Sequence, residues 1–303
     1  MSGEISENKK IVLYFSGGAM RGVFGAGVAT YLEEVNIYDK LEAVYGSSSG
    51  ALTGAYFLSK QTRLGSTIFY EDLTNNFISI RDFWIGAWQR IANRFLYKVS
   101  DYEMRDAMDI DYLFSVVARR KKLDIQSVIN QEIPFYVKVF NLNKRETEYI
   151  EARNNNIVDI LKASASTLPY VHNTVKIDGV EYTDAGTIDQ IGLDCLIKKH
   201  PKNKIIIIFS QSAERKFKII LKNYLEGIVA SLMYDWGFFN KFAYTTKKVS
   251  KELELIKNNP NILLVKMSGH EGIPTRTTDH TKLIKTYSLG MKLARPIMDF
   301  IKN

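Results

Sequence analysis

The stretch Val44-Tyr-Gly-Ser-Ser-Ser-Gly-Ala-Leu52 decides how the rest of the chain is read. It sets Gly46-x-Ser48-x-Gly50 between a short apolar run, Ala43-Val44-Tyr45, and a helix-like run from Ala51 to Leu58. Strand, sharp turn and helix in that order are the setting of a nucleophile elbow. The central serine takes a strained backbone conformation, the flanking glycines leave room because they lack a Cβ, and the helix N-terminus faces the hydroxyl. Of the three consecutive serines, Ser48 alone has glycine two positions away on both sides. The competing reading is a serine-rich turn capping a helix, so the surrounding sequence has to choose.

Upstream, Ile11-Val-Leu-Tyr-Phe15 reads as a fully buried strand and runs directly into Ser16-Gly-Gly-Ala-Met-Arg-Gly22. A glycine-rich turn between strand and helix presents backbone N–H groups to negative charge. Three chemistries use such a turn. A dinucleotide site wants G-x-G-x-x-G and an acid closing the second strand, but Ala19 stands at the third place and the second strand ends in Tyr45-Gly46 and serines. A phosphate-binding loop wants Gly-Lys-Ser/Thr, and Gly22 is followed by Val23-Phe24. The third is an oxyanion hole for acyl transfer. It accounts for both turns, because adjacent parallel strands would set the loop after residue 15 beside the elbow after residue 45. The helices that follow carry Gly25, Ala26, Gly27 and Ala29 in one and Gly50, Ala51, Gly54 and Ala55 in the other, small residues that let helices pack closely on the sheet or on each other.

The chain has 303 residues, 46% of them apolar, enough to bury a core. A single cysteine, Cys195, excludes a disulfide framework and a CxxC zinc site and agrees with a reducing, cytoplasmic compartment. The net charge of +8 suits a polyanion or an anionic membrane surface. Its lysines and arginines are spread rather than blocked, which argues against nucleic acid. Met1 to Lys10 is polar and mixed in charge with no apolar h-region of a secretion signal behind it, and no stretch reaches the roughly 18 apolar residues of a membrane span. Nothing calls for a cofactor or a metal. The expectation is a protein soluble or peripheral to a membrane.

Further along, Phe135 to Asn141 and Glu148 to Ala152 have strand character, and Ile157 to Ser164 that of a helix. Val175-Lys-Ile177 and Val180-Glu-Tyr-Thr183 flank Asp178-Gly179, a tight-hairpin signal, and this hairpin delivers Asp184-Ala185-Gly186. A buried strand at Lys204 to Phe209, long helical stretches around 214 to 234 and 238 to 258, a strand at Ile262 to Met267 and a terminal helix complete the chain. Strands alternating with helices predict an α/β layered fold with a largely parallel sheet.

The three motifs in this order resemble the patatin-like phospholipase family, in particular its bacterial members with a helical C-terminal extension. Gly17-Gly18-Ala19-Met20-Arg21-Gly22 matches the family's first-strand oxyanion motif except at Ala19. Gly46-Ser47-Ser48-Ser49-Gly50 matches its elbow, and Asp184-Ala185-Gly186, following Ala165-Ser166-Thr167-Leu168-Pro169, matches its catalytic aspartate. The resemblance implies a three-layer α/β fold, a catalytic domain over 11–212 and a mainly helical region over 213–303 packed on it. It also implies a lipid ester substrate and a dyad without histidine. Ser48 attacks the ester carbonyl, Asp184 takes and returns the proton, and the amides of Gly17, Gly18 and Ala19 hold the oxyanion, with Arg21, Gly22, Gly46, Gly50 and Gly186 supporting them. Alanine at 19 and 185 adds a Cβ where the family has glycine, which is costly wherever the backbone needs positive φ.

Two other classes stay open. One is an α/β-hydrolase triad using His270 or His280, against the plainer reading of His172, His200, His270 and His280 as surface or loop residues. The other is a lipid-binding protein of the same fold that has lost turnover. Finally, Trp84, Trp88, Ile91 and Phe95 are spaced to share one helix face, with Arg90 and Arg94 off that stripe beside Gln89 and Asn93. Such a stripe either packs on the protein's own core or meets an anionic bilayer as a peripheral contact.

Overall fold

Ile11–Phe15 forms strand β1 because five consecutive apolar residues can be satisfied only where both faces of a strand are covered, and all five are buried. Ile11, Leu13 and Phe15 belong to one apolar cluster and Val12 and Tyr14 to another on the opposite face. The computed structural model describes residues 10–75, 77–95, 105–153, 156–171, 173–211, 216–233 and 237–302. The N-terminal residues 1–9, His172 and the side chains of Arg94 and Phe95 lie outside the described part.

The other strands are β2 (Leu41–Ser47), β3 (Phe135–Asn141), β4 (Glu146–Glu151), β5 (Val175–Ile177), β6 (Val180–Thr183), β7 (Lys204–Phe209) and β8 (Ile262–Lys266). They make one eight-stranded sheet in the order β5-β6-β3-β2-β1-β7-β8, with β4 also paired to β3. From β8 through β7, β1 and β2 to β3 the strands run parallel, whereas β4, β6 and β5 are added by antiparallel pairing. The hairpin joining β5 to β6 turns through Asp178 and Gly179, at φ 50° and 81°. Two successive positive φ values are what a two-residue hairpin of the favoured hand requires.

Helices cover both faces. On one lie α1 (Gly22–Glu34), α2 (Ser49–Leu58), α3 (Thr62–Thr67), α5 (Ile110–Ser115), α6 (Ile125–Ile129), α7 (Ile157–Ala165), α11 (His280–Leu293) and α12 (Pro296–Lys302). On the other, α8 (Leu193–Lys199) and α10 (Gly237–Lys257) pack on Val12, Tyr14, Ile205 and Ile207. This is a three-layer α/β fold. Residues beyond 212 enter it directly, since β8 extends the sheet and α11 packs along α1. Two further helices, α4 (Ile80–Phe95) and α9 (Lys216–Met233), pack against each other.

The small residues of α1 are explained by its contact with α11. A Cβ on Gly27 would lie 2.0 Å from the Tyr287 carbonyl oxygen, and one on Gly290 would lie 2.2 Å from the Phe24 oxygen. The two backbones meet with no side chain between them. Gly27→Leu should therefore force the helices apart and destabilise the protein by about 1–3 kcal/mol or more, the range for overpacking a close contact. A lowered urea unfolding midpoint is the expected result, and an unchanged midpoint would contradict this close crossing.

Candidate active site

Strand pairing sets the site. In the parallel β1–β2 ladder Phe15 stands opposite Gly46, so the turns that leave the two strands are neighbours at the same edge of the sheet. Ligands of open parallel sheets bind at this carboxyl end. The elbow turns sharply because Ser48 sits at φ 54°, ψ −129°, a region that non-glycine residues enter at a cost of about 1–3 kcal/mol. The flanking glycines answer to close approach. A Cβ on Gly46 would be 2.6 Å from Ala51 Cα, and one on Gly50 would be 2.3 Å from the Phe15 carbonyl oxygen. Ser48 precedes the first turn of α2, so its hydroxyl lies at the positive end of that helix.

The glycine-rich turn after β1 presses on the elbow. A Cβ on Gly17 would fall 2.8 Å from Ser48 Cβ, and one on Gly22 would fall 2.5 Å from Ser49 Oγ. Among the described residues, the amides of Gly17, Gly18 and Ala19 donate to no protein acceptor. Their neighbours do: Ser16 donates to Ile208 O at 2.9 Å, Met20 to Thr275 O at 3.2 Å and Arg21 to Gly18 O at 3.1 Å. Three consecutive unpaired donors beside a serine leave their hydrogen-bonding capacity to whatever enters the cleft. Ala19 holds φ 49°, a conformation that costs an alanine about 1–2 kcal/mol. Ala185 is different. It is not among the residues with positive φ, and its side chain is fully buried with Phe140, Leu168 and Phe242, so the Cβ adds packing there.

Asp184 follows β6 and is 2% exposed. Its Oδ2 accepts from Thr167 Oγ1 at 2.7 Å and its Oδ1 from the Gly186 N–H at 2.6 Å. Burial raises its pKa above the ordinary carboxylate value, opposed by the bonds from Thr167 and Gly186, by a hydrogen-bonding interaction with Ser48 and by the charge of Lys138. Ser48, Asp184 and residues 17–19 line one cleft of about 460 Å3, together with Arg21, Gly186, Gln190, Asn223, Glu226 and Arg276. From Ser48, Ala19 and Met108 a second, narrow cavity runs between helices, walled by Leu52, Tyr56, Phe69, Leu73, Phe77 and Leu113. The serine thus stands where a wider cleft of mixed polar and apolar lining meets a narrow apolar pocket.

Sequence reading passes over several supporting groups. Ser164, fully buried on α7, accepts from the Ser48 N–H at 2.8 Å and donates to the Lys138 carbonyl at 2.7 Å, fixing the elbow to β3. Thr167 lies in the Ala165–Pro169 segment, but its bond to the aspartate appears only in three dimensions. Lys138, fully buried on the far face of the sheet, donates to the Asp189 carbonyl and lies 5.1 Å from the Tyr14 ring. Burial pushes its ammonium down, while Asp189, Glu252 and Asp184 pull it back up. Among the described residues no histidine lines the cleft. His270 is exposed beside Ser268, His280 is exposed against the edge of Tyr70, and half-buried His200 pairs with the Tyr45 hydroxyl at 2.8 Å. Nor, among the described residues, does any group of three His, Cys, Asp or Glu side chains come together to hold a metal.

Comparison with known proteins adds the following. The family model described as patatin-like phospholipase matches residues 13–197. The uncharacterized protein YjjU of Escherichia coli K12 is 21% identical over 201 residues, which are 65% of this chain and 51% of YjjU. The chain therefore spans about half the length of that relative. Among solved structures, VipD from Legionella pneumophila aligns with 12% identity and a TM-score of 0.49, over 98% of this chain and 67% of VipD. The type III effector protein ExoU aligns with 9% identity and a TM-score of 0.42, over 97% of this chain and 54% of ExoU.

The carboxylate environment makes a testable statement about pH. If Asp184 accepts a proton in ester cleavage it must be ionised to do so, and because burial holds its pKa above the usual range, kcat/KM should then fall on acidification with an inflection above ordinary carboxylate values. Thr167→Val removes a bond made to the charged form, raising that pKa further and moving the acid limb to higher pH. A limb unmoved by this substitution would detach Asp184 from the titration.

Proposed function

The chain belongs to the patatin-like phospholipase family, and on that premise we propose that it is a lipid acyl hydrolase, cleaving carboxylic esters with Ser48 as nucleophile and Asp184 as the proton carrier. The observation that carries this reading is the convergence of three parts at one point: a strained serine, a buried carboxylate and three unpaired amides.

The chemistry follows from the placement. Ser48 Oγ attacks the ester carbonyl as its proton passes to Asp184, and the oxygen that becomes negative is held by the amides of Gly17, Gly18 and Ala19. The tetrahedral intermediate collapses, the C–O bond to the alcohol breaks, and Asp184 returns the proton to the departing oxygen. Water then attacks the acyl-serine, gives its proton to Asp184, and the carboxylic acid leaves with Ser48 Oγ reprotonated. A carboxylate is a weak base for a hydroxyl, and burial narrows the gap by raising the Asp184 pKa. The two linings support a division of the ester between them. The apolar lining of the narrow cavity at Ser48 suits the acyl chain, which has to widen it on entry, and the wider mixed cleft suits the alcohol with its head group, where Arg276 offers an exposed cation.

Ser48→Ala and Asp184→Asn should each lower fatty-acid release from a mixed lipid extract by about a thousandfold or more, read by mass spectrometry. The double variant should be little worse, because a nucleophile and its base act as one unit. Near-normal turnover in folded Asp184→Asn would refute the dyad.

The histidine alternative is tested separately. His270→Ala with His280→Ala should leave turnover within a few-fold of the unmodified protein, since both side chains are exposed outside the cleft. A loss of about a thousandfold, the size expected when a triad member is removed, would favour a serine, acid and histidine arrangement.

A further inference from the structure

Helices α4 and α9 stand at the rim of the cleft, and each lines it with some residues while turning others to solvent. Ile80, Phe83 and Trp84 of α4 and Asn223 and Glu226 of α9 line the opening. On α4 the tryptophans at 84 and 88 are 60% and 65% exposed, and Ile91 is half-buried, so the aromatic part of the stripe is not spent on the protein's own core. On α9, Leu221, Tyr224, Leu225 and Ile228 recur at i, i+3, i+4 and i+7 and are all substantially exposed. Apolar stripes of this kind on adjoining helices are unusual on a surface that meets only water.

We propose that these two stripes form a docking face for an anionic phospholipid bilayer, with the cleft opening onto it. The inference rests on the reading of the cleft as a lipid-ester site. Three features favour a bilayer over a second copy of the chain. Trp84, Trp88 and Tyr224 each join a large apolar body to a polar edge, which suits the level of lipid head groups. Positive charge complements an anionic surface: the chain carries +8, Arg81 of α4 is exposed, and exposed Arg276 lines the same cleft as Trp84. The stripes also border the mouth through which a substrate must pass, and a second copy seated there would stand across it. On a bilayer the same contact sets the opening at the depth of the ester groups, so an acyl chain can pass from the membrane to Ser48 with little exposure to water. Among the described residues no helix is long and apolar enough to cross a membrane, so this attachment is peripheral in kind.

The test uses the full chain with Trp88→Ser and Leu225→Ser combined. Neither residue lines the cleft, and both are more than half exposed. Cosedimentation with vesicles of phosphatidylglycerol and phosphatidylcholine should show the unmodified protein binding, more weakly to phosphatidylcholine alone. The double variant should bind about tenfold or more weakly, the size expected on losing two inserted apolar side chains. Its hydrolysis of a short water-soluble ester and its unfolding midpoint should be unchanged. Vesicle binding equal to that of the unmodified protein would overturn the proposal. So would an unmodified protein that is dimeric by sedimentation and becomes monomeric on substitution, which would assign the face to a second copy. Because sedimentation requires no turnover, a protein that binds vesicles through this face without cleaving esters would refute the hydrolase reading and leave the docking face standing.

Discussion

The backbone of Ser48 is the constraint from which the rest of the site follows. A residue at φ 54° and ψ −129° does not stay there unaided. It is held because Gly46 lets α2 fold back against the end of β2, Gly50 lets α2 close on the last carbonyl of β1, and Ser164 accepts the Ser48 amide that the sharp turn would otherwise leave unpaired. Each restraint comes from a different element, and together they aim one hydroxyl out of the sheet. The parallel pairing of β1 with β2 then fixes which loop lies beside it. The strained serine and the unpaired amides of residues 17–19 are thus two results of one strand register.

Electrostatics divides the protein along the sheet. On the cleft side a buried carboxylate takes bonds from Thr167 and Gly186 that favour its charge, while burial opposes it. On the far side Lys138 sits fully buried against the Asp189 carbonyl and the Tyr14 ring, and Glu252, whose pKa burial raises, accepts the Leu193 amide at 2.9 Å. Asp189 in turn pairs with Lys248 of α10 at 2.9 Å. Lys248 is largely exposed, so that bridge is screened by solvent, while the bonds made by Lys138 and Glu252 are buried and would be costly to leave unmade. This cluster ties α8 and α10 to the strands beneath the aspartate and ends close enough to influence Asp184.

The alanines at 19 and 185 show why a motif departure has to be judged by backbone angle. At Ala19 the chain keeps the left-handed conformation that glycine would occupy at lower cost, and the strain stays in the turn that presents the amides. At Ala185 no such angle is needed, and the methyl group fills a small apolar cluster between β3, α9 and α10. The same one-carbon change is strain at one site and packing at the other.

The turn at Gly17-Gly18 and the elbow Gly46-x-Ser48-x-Gly50 were legible because glycine marks where a turn or close approach demands it, whereas Asp184 after its hairpin stood out only through the resemblance carried by the three motifs together. Continuous apolar runs likewise marked β1 and β7 as strands covered on both faces. The tertiary structure alone decided what depends on distant partners. Ser164 reads as an ordinary helical serine until the fold brings it to the amide of a residue 116 positions away. Which amides remain unpaired depends on what Ile208 and Thr275 have already accepted. The spacing of Trp84 and Trp88 describes a helix face equally well whether it is covered or bare, because periodicity records which residues share a face and says nothing of what packs on it. Only the placement of α4 at the rim of the cleft left those tryptophans exposed.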